Sequence, residues 1–266
     1  MNTARGNAPF LQKFAIQAGV LHALMMREII TRFGRDNLGV LWLVGEPMIF
    51  TLGVTTLWSA AGLTHGGTGM PIVAFAVTGY SSVLMWRNAT SQCSAGIEQN
   101  KPLLFHRSVL IIDVFFTRIA LEIIGATSSF IVLSIFFISI GWMPMPVDLL
   151  LVIEGWLMLA WFGASLALLV GGGTAFSNLV HRLWHPLAYL LFPMSGAAFM
   201  VEWLPKRLQD AVLYLPMVHG VELLRRGYFG NVVRSHYDIS YMATCCLVLS
   251  LCGLYVVREA SRRVEF

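Results

Sequence analysis

Charge is what this sequence has least of. Only 12% of its 266 residues are Asp, Glu, Lys or Arg, against about 25% in ordinary soluble domains. So little charge does not coat a water-exposed surface of this size, which excludes a soluble enzyme. Disorder is excluded too, because it needs low hydrophobicity and high net charge. Nucleotide chemistry is missing as well. Gly66-Gly67 and Gly171-Gly172-Gly173 are not followed by the Lys-Ser/Thr of a phosphate loop, so the chain does not bind ATP in that way. H-E-x-x-H, C-x-x-C and G-x-S-x-G patterns are absent, which removes the common zinc, redox and hydrolase signatures. No basic n-region and short apolar core precede a small-residue cleavage site, so a secretory signal peptide is not expected. Cysteine is sparse. Three of the four (Cys245, Cys246 and Cys252) share one apolar run, which suits reduced, small apolar side chains rather than a disulfide or metal site.

What fills the space is apolar: 57% hydrophobic residues and a mean hydropathy of +0.71. The expected class is an all-α integral membrane protein forming one bundle. Spans of about 20 residues fit six times: Leu38–Trp58, Pro71–Trp86, Ile119–Ile140, Leu149–Gly173, Leu183–Val201 and Ile239–Val257. Ahead of them, Leu11, Phe14, Ala18, Leu21, Met25 and Ile29 recur every three or four residues, with Lys13, Gln17, Arg27, Glu28, Thr31 and Arg32 opposite. That is an amphipathic helix, within 10–36, lying in the membrane interface. Residues 88–107 are polar and read as a loop with a short helix. Residues 202–238 contain an apolar stretch, Ala211–Leu224, interrupted by Pro216, His219, Gly220 and Glu222. It is too short to cross and fits a pair of short re-entrant helices.

Basic residues orient the bundle. With both termini inside, thirteen of the eighteen Lys and Arg fall on the inner side, and the first two outer loops hold none. The other five (Lys206, Arg207, Arg225, Arg226 and Arg234) all lie in 202–238. A seventh span there would move the three terminal arginines outside, so six is preferred. The dispersed cations make nucleic acid a poor partner.

Charges at membrane depth are costly unless paired or wet. Glu46, beside Pro47, is the clearest, and Asp113, Arg118 and Glu122 form a second set. Each reads either as a structural pair or as the lining of a polar path. His181 and His185 have the spacing of metal ligands, but no carboxylate is near in sequence, so no metal is expected. The eight tryptophans fall mostly near span ends, as in an interfacial belt. A minority of aromatic residues would face a channel, where flat rings suit sugar C–H groups. Trp42, Trp58, Tyr80, Trp86 and Trp184 are the candidates.

Three colinear motifs now carry a resemblance. Arg27-Glu28-Ile29-Ile30-Thr31-Arg32-Phe33, with Leu38-Gly39-Val40-Leu41-Trp42 and Glu46-Pro47, is the first. Gly96-Ile97-Glu98-Gln99-Asn100, followed by Asp113, Arg118 and Leu121-Glu122, is the second. Pro216-Met217-Val218-His219-Gly220-Val221-Glu222-Leu223-Leu224-Arg225 is the third. Together, over about residues 10 to 258, they resemble the ABC-2-type polysaccharide export permeases, and within them the inner-membrane permeases of capsular polysaccharide exporters. The Gly227-Tyr228-Phe229-Gly230 run after Arg226 departs from the third motif.

The resemblance implies a homodimer in the bacterial inner membrane, each subunit clamped to a separate cytoplasmic ATPase that binds the ATP and magnesium. It implies a lipid-linked polysaccharide as substrate, and periplasmic and outer-membrane export proteins as further partners. Arg27, Glu28, Arg32, Glu98, Asn100 and Lys101 would belong to the gate helix and the ATPase-coupling loop. Pro216, His219, Glu222, Arg225 and Arg226 would belong to the periplasmic exit. Two alternatives remain at this point: an exporter of O-antigen or teichoic-acid-like polymers, and an integral-membrane glycosyl- or acyltransferase. The scattered acids favour transport over the second.

Overall fold

The apolar runs become helices because a chain in hydrocarbon must satisfy its backbone hydrogen bonds within each segment. The computed structural model describes residues 10–33, 39–60, 70–104, 109–232 and 234–264, which are helices and connecting turns. In order they are α1 (Phe10–Phe33), α2 (Gly39–Ala60), α3 (Ile72–Ser94), α4 (Gly96–Leu104), α5 (Ile111–Ser139), α6 (Leu149–Gly173) and α7 (Asn178–Met194). A 3-10 turn (Val201–Trp203), α8 (Lys206–Val212), α9 (Pro216–Phe229) and α10 (Ile239–Val264) follow. Helices α5, α6 and α10 are long and apolar enough to cross a membrane. The 29 residues of α5 reach about 43 Å at 1.5 Å per residue, beyond the roughly 30 Å of a hydrocarbon core.

Helix α6 is the hub, with α10, α3 and α9 packed on it. Small residues permit this closeness where lipid gives helices no hydrophobic reason to associate. A Cβ at Gly163 would stand 2.9 Å from the Trp86 backbone, and one at Gly155 2.6 Å from Leu224 N. Helix α3 is buried along most of its length. Three of its hydroxyls are satisfied inside the helix: Thr78 donates to Ala74 O (2.8 Å), Ser82 to Gly79 O (2.7 Å) and Thr90 to Trp86 O (2.8 Å).

Three boundaries differ from expectation. The third apolar helix begins at Ile111, not Ile119, because Asp113 accepts the Leu110 N–H (3.1 Å) and caps the first turn. Helix α3 continues to Ser94, so the polar 88–107 segment opens with helix. The fifth apolar helix is Asn178–Met194, not Leu183–Val201. The Ser177 hydroxyl caps its start by accepting the Leu179 N–H (3.1 Å). Past Pro193 the chain turns at Gly196, whose φ of +82° favours glycine. The bundle thus has two ends, defined by α3 and α6: one carries α4 and the start of α5, the other carries α8 and α9.

Candidate functional site

At the α4 end a single guanidinium joins four helices. Arg118, on α5, is almost wholly buried. Its Nε lies 3.1 Å from Glu28 Oε1 on α1. Its Nη1 donates to Gln92 O on α3 (2.6 Å) and its Nη2 to Gln99 Oε1 on α4 (2.8 Å). Charge-assisted, multidentate bonds of this kind are the strong ones. Two more bonds tie the same helices. Arg27 Nη1 on α1 donates to Asn100 Oδ1 on α4 (2.9 Å), and the buried Asn100 donates its own N–H to Gly96 O (3.0 Å). Gln17 Nε2 on α1 donates to Asp113 on α5. Arg27, Glu28, Asn100, Asp113 and Arg118 are therefore brought together as one network. Glu122 lies half-buried one turn further along α5. Glu98 and Lys101 stand apart, exposed on α4 and, among the described residues, paired with each other (2.6 Å), a contact worth about 0–1 kcal/mol. The side chains of Arg32, Trp42 and Glu46 lie outside those described.

At the α9 end a second arginine is buried, with quite different partners. The Arg225 side chain enters a cage of backbone carbonyls. Nη1 donates to Gly196 O (2.6 Å) and Phe199 O (2.7 Å), and Nη2 to Ala197 O (2.6 Å) and Phe75 O (3.3 Å). Its Cζ stands 3.6 Å over the Phe75 ring, close enough for a cation–π contact. Gly79 makes the room, since a Cβ there would lie 2.4 Å from Ala197 O and 2.5 Å from Arg225 Nη2. Arg225, which the resemblance assigns to the periplasmic exit, is 0% exposed and staples α9 to α3 and the 195–200 turn.

The neighbours of Arg225 hold the next segment. Buried Glu222 accepts the Val201 N–H (3.0 Å) and the His236 N–H (2.9 Å). The Asp238 N–H is 2.9 Å from His219 Nδ1, and His219 Nε2 is 2.8 Å from Leu213 O. Those partners fix the tautomer, with the ring proton on Nε2. Pro216 opens α9 where a missing N–H costs nothing. Glu202 meets His236 Nε2. That hydrogen bond, aided by the nearby Arg234 charge, holds the Glu202 carboxyl below the usual carboxylate range.

The five cations of the 202–238 segment thus separate into three groups. Arg225 is caged, Lys206 and Arg207 are exposed on α8, and Arg226 and Arg234 share a cavity.

Between the two ends runs a row of rings. Phe50 and Trp58 of α2, Tyr80 and Phe75 of α3, Phe192 of α7 and Trp203 contact one another at centroid distances of 5.3–6.4 Å. Arg87 lies 5.9 Å from the ring centroids of both Tyr189 and Phe192. Trp58 and Tyr80 belong to this row. Trp86 and Trp184 do not: they fill the interior at 0% and 2% exposure, and Trp184 Nε1 donates to Ser91 Oγ (2.9 Å). Rings so enclosed offer no open face to a passing polymer. His181 and His185 touch edge to face (5.2 Å), His181 Nδ1 lies 3.2 Å from Ser94 Oγ, and among the described residues no cluster is suited to hold a metal.

Sequence reasoning missed Gln92, and it gave Gln17, on the polar face of α1, and Gln99, within the second motif, no role of their own. It also missed Gly79, whose signal is a lone glycine in a charge-free span.

The comparisons with known proteins bear on both ends. The family model described as ABC-2 type transporter matches residues 20–229, which include both buried arginines. A capsule polysaccharide export inner-membrane protein of Neisseria meningitidis is 41% identical over 256 residues, covering 96% of each chain. A protein of the same description from Haemophilus influenzae is 38% identical with the same coverage. The polysialic acid transport protein of Escherichia coli is 28% identical over 92% of this chain and 95% of its own. The chain belongs to the ABC-2 type transporter family and is a transport permease.

Proposed function

We propose that this permease moves lipid-linked capsular polysaccharide across the bacterial inner membrane, driven by a separate ATPase subunit that holds ATP and magnesium. In this reading α2, α3, α5, α6, α7 and α10 are the six spans and both termini are cytoplasmic. Helix α1 is the interfacial gate helix, and α8 and α9 are short re-entrant helices on the periplasmic side. A second copy of the chain completes the passage, and periplasmic and outer-membrane export proteins continue the route.

The observation that carries the reading is the network around Arg118. A subunit without a nucleotide site must receive mechanical work from another chain. The exposed α4 surface, with Glu98 and Lys101, is where an ATPase can press. The load then passes through Gln99 to Arg118, and from Arg118 to Glu28 on α1, without crossing a flexible segment. Beside this network the rings of Phe50, Trp58 and Phe192, which keep exposed area, supply apolar faces for sugar C–H groups, while the buried Tyr80 backs them. The relatives' names favour a capsular glycan over O-antigen or teichoic-acid-like polymers.

Coexpression with the candidate ATPase tests the proposal. The detergent-solubilised permease should carry the ATPase through purification, and a permease that never does so sinks the reading. Arg27→Ala and Glu98→Ala should each leave membrane insertion intact and lower surface polysaccharide. Normal capsule in both removes the coupling role of the α1–α4 contact.

A further inference from the structure

Arg226 and Arg234 line a cavity of about 570 Å³ with Asn231, Ser235 and Tyr237. Such a volume lies within the about 300–1,000 Å³ of small-molecule sites. No Asp or Glu is among the lining residues, and no ion pair among the described residues includes either arginine. The surrounding carboxylates have other donors. Glu202 is met by His236 Nε2, Glu222 by the Val201 and His236 N–H groups, and Asp238 Oδ1 by the Tyr241 N–H (2.9 Å). Arg226 is held in place through one nitrogen, with Nη1 donating to Gly230 O (3.0 Å) and to Asn231 Oδ1. That leaves its Nε and Nη2 donors for another acceptor, in the planar fork that matches a carboxylate. The helix dipole alone accounts for a cation in the last turn of α9. It does not account for Arg234, which lies beyond the helix and faces the same cavity.

We propose that this cavity binds the carboxylate-bearing sugars of an acidic glycan. The proposal rests on the export reading above, which sets this end of the bundle at the exit. Two guanidinium groups supply the charge, with no carboxylate among the residues that line the cavity. Glu202, outside that lining, feels the Arg234 charge but takes its hydrogen bond from His236. The hydroxyls of Ser235 and Tyr237 and the amide of Asn231 supply neutral partners for sugar hydroxyls. A site of this kind holds each emerging acidic unit briefly and opposes its return into an uncharged passage. It also gives the permease a preference for anionic over neutral polymers at equal length.

The test uses the full-length permease with its ATPase in nanodiscs. The probes are a sialic acid tetramer and the same tetramer with its carboxyl groups reduced to alcohols. The acidic tetramer should bind at least tenfold more tightly than the neutral one, and 0.5 M NaCl should weaken it strongly, since exposed charges are screened. Arg226→Gln/Arg234→Gln should lower affinity at least tenfold, and Arg234→Gln alone, in an exposed segment, should lower it severalfold. Arg226→Lys should retain part of it. Equal binding of both tetramers, or an unchanged double variant with unaltered thermal unfolding, overturns the site. Loss of surface polymer in the double variant without loss of tetramer binding also overturns it, and assigns the cations to an acidic protein partner instead. If the ATPase copurifies and polymer is exported while the tetramer fails to bind, only this site falls. If the ATPase does not copurify, the export reading falls first.

Discussion

Arg118 and Arg225 are both nearly inaccessible, at 2% and 0% exposure, and they sit at opposite ends of the same bundle. Their partners differ in kind. Arg225 bonds to backbone carbonyls of one turn and one helix. Backbone atoms do not change rotamer, so this arginine fixes geometry. Arg118 bonds largely to side chains, Glu28 and Gln99, on two other helices. Side-chain partners can let go and re-form as helices shift. One buried arginine is thus a staple and the other a joint, and they are distinguished by what they touch rather than by depth.

The staple makes the largest prediction. Arg225→Met should remove the folded protein, because it strands the carbonyls of Gly196, Ala197 and Phe199 in a dry interior. Each orphaned group costs about 1–3 kcal/mol. Arg225→Lys should rescue little, since an ammonium lacks the fork that reaches both sides of the cage. Detergent gel filtration and thermal unfolding read the outcome. A monodisperse Arg225→Met protein with near-normal unfolding temperature breaks the comparison.

Gly79→Ala is the next test, on the same cage from the other side. The added methyl would meet Ala197 O at 2.4 Å, and backbone does not yield cheaply. A loss of about 1–3 kcal/mol is expected, the range for overpacking. Gly19→Ala, where nothing lies within 4 Å, is the matched control. Equal stability of the two variants shows that the 195–200 turn is free to move.

The sequence made much of the fold legible. Length and apolar composition marked α6 and α10, and the three-and-four spacing marked α1. What it concealed was which charges meet. Arg118 and Glu122 are helix neighbours, yet the carboxylate 3.1 Å from Arg118 is Glu28, ninety positions away on another helix. The five cations of the 202–238 segment form one cluster in sequence and three groups in space, because α9 turns Arg225 inward and leaves Arg226 at its last turn. The fifth helix was displaced for a similar reason: hydropathy ran through Gly196, but the backbone there adopts a positive φ.

The joint predicts a smaller effect on stability and a larger one on work. Glu28→Gln keeps the shape of its side chain and removes its charge, taking away the carboxylate 3.1 Å from the buried Arg118. Breaking such a pair costs about 3–5 kcal/mol in a sealed interior. Less is expected here, because Gln92 O and Gln99 still hold the guanidinium. The protein should fold and bind its ATPase, while polysaccharide-stimulated ATP turnover falls severalfold. Pairing Glu28→Gln with Arg118→Gln should recover unfolding temperature without recovering turnover. Recovery of both makes the network purely structural, and the difference between the two arginines then disappears.

The smallest effect belongs to the rim around the staple. Glu202 is exposed, and His236 holds its carboxyl below the usual carboxylate range. A carboxyl whose folded pKa is depressed stabilises above its unfolded value, near 4.3 for Glu. That contribution disappears as pH falls through the lower folded value. The contact therefore contributes fully at neutral pH and is lost only below about pH 4. Glu202→Gln should lower the unfolding temperature slightly at pH 7 and progressively less as the pH falls through the depressed carboxyl pKa, flattening the acid side of the profile. Arg225 differs in kind: the atoms it bonds are carbonyls, which do not titrate, and the carboxylate whose charge acts on it is the buried Glu222. A steep loss in wild type between pH 7 and 5, unchanged by Glu202→Gln, would place acid sensitivity elsewhere and detach this rim from the staple it surrounds.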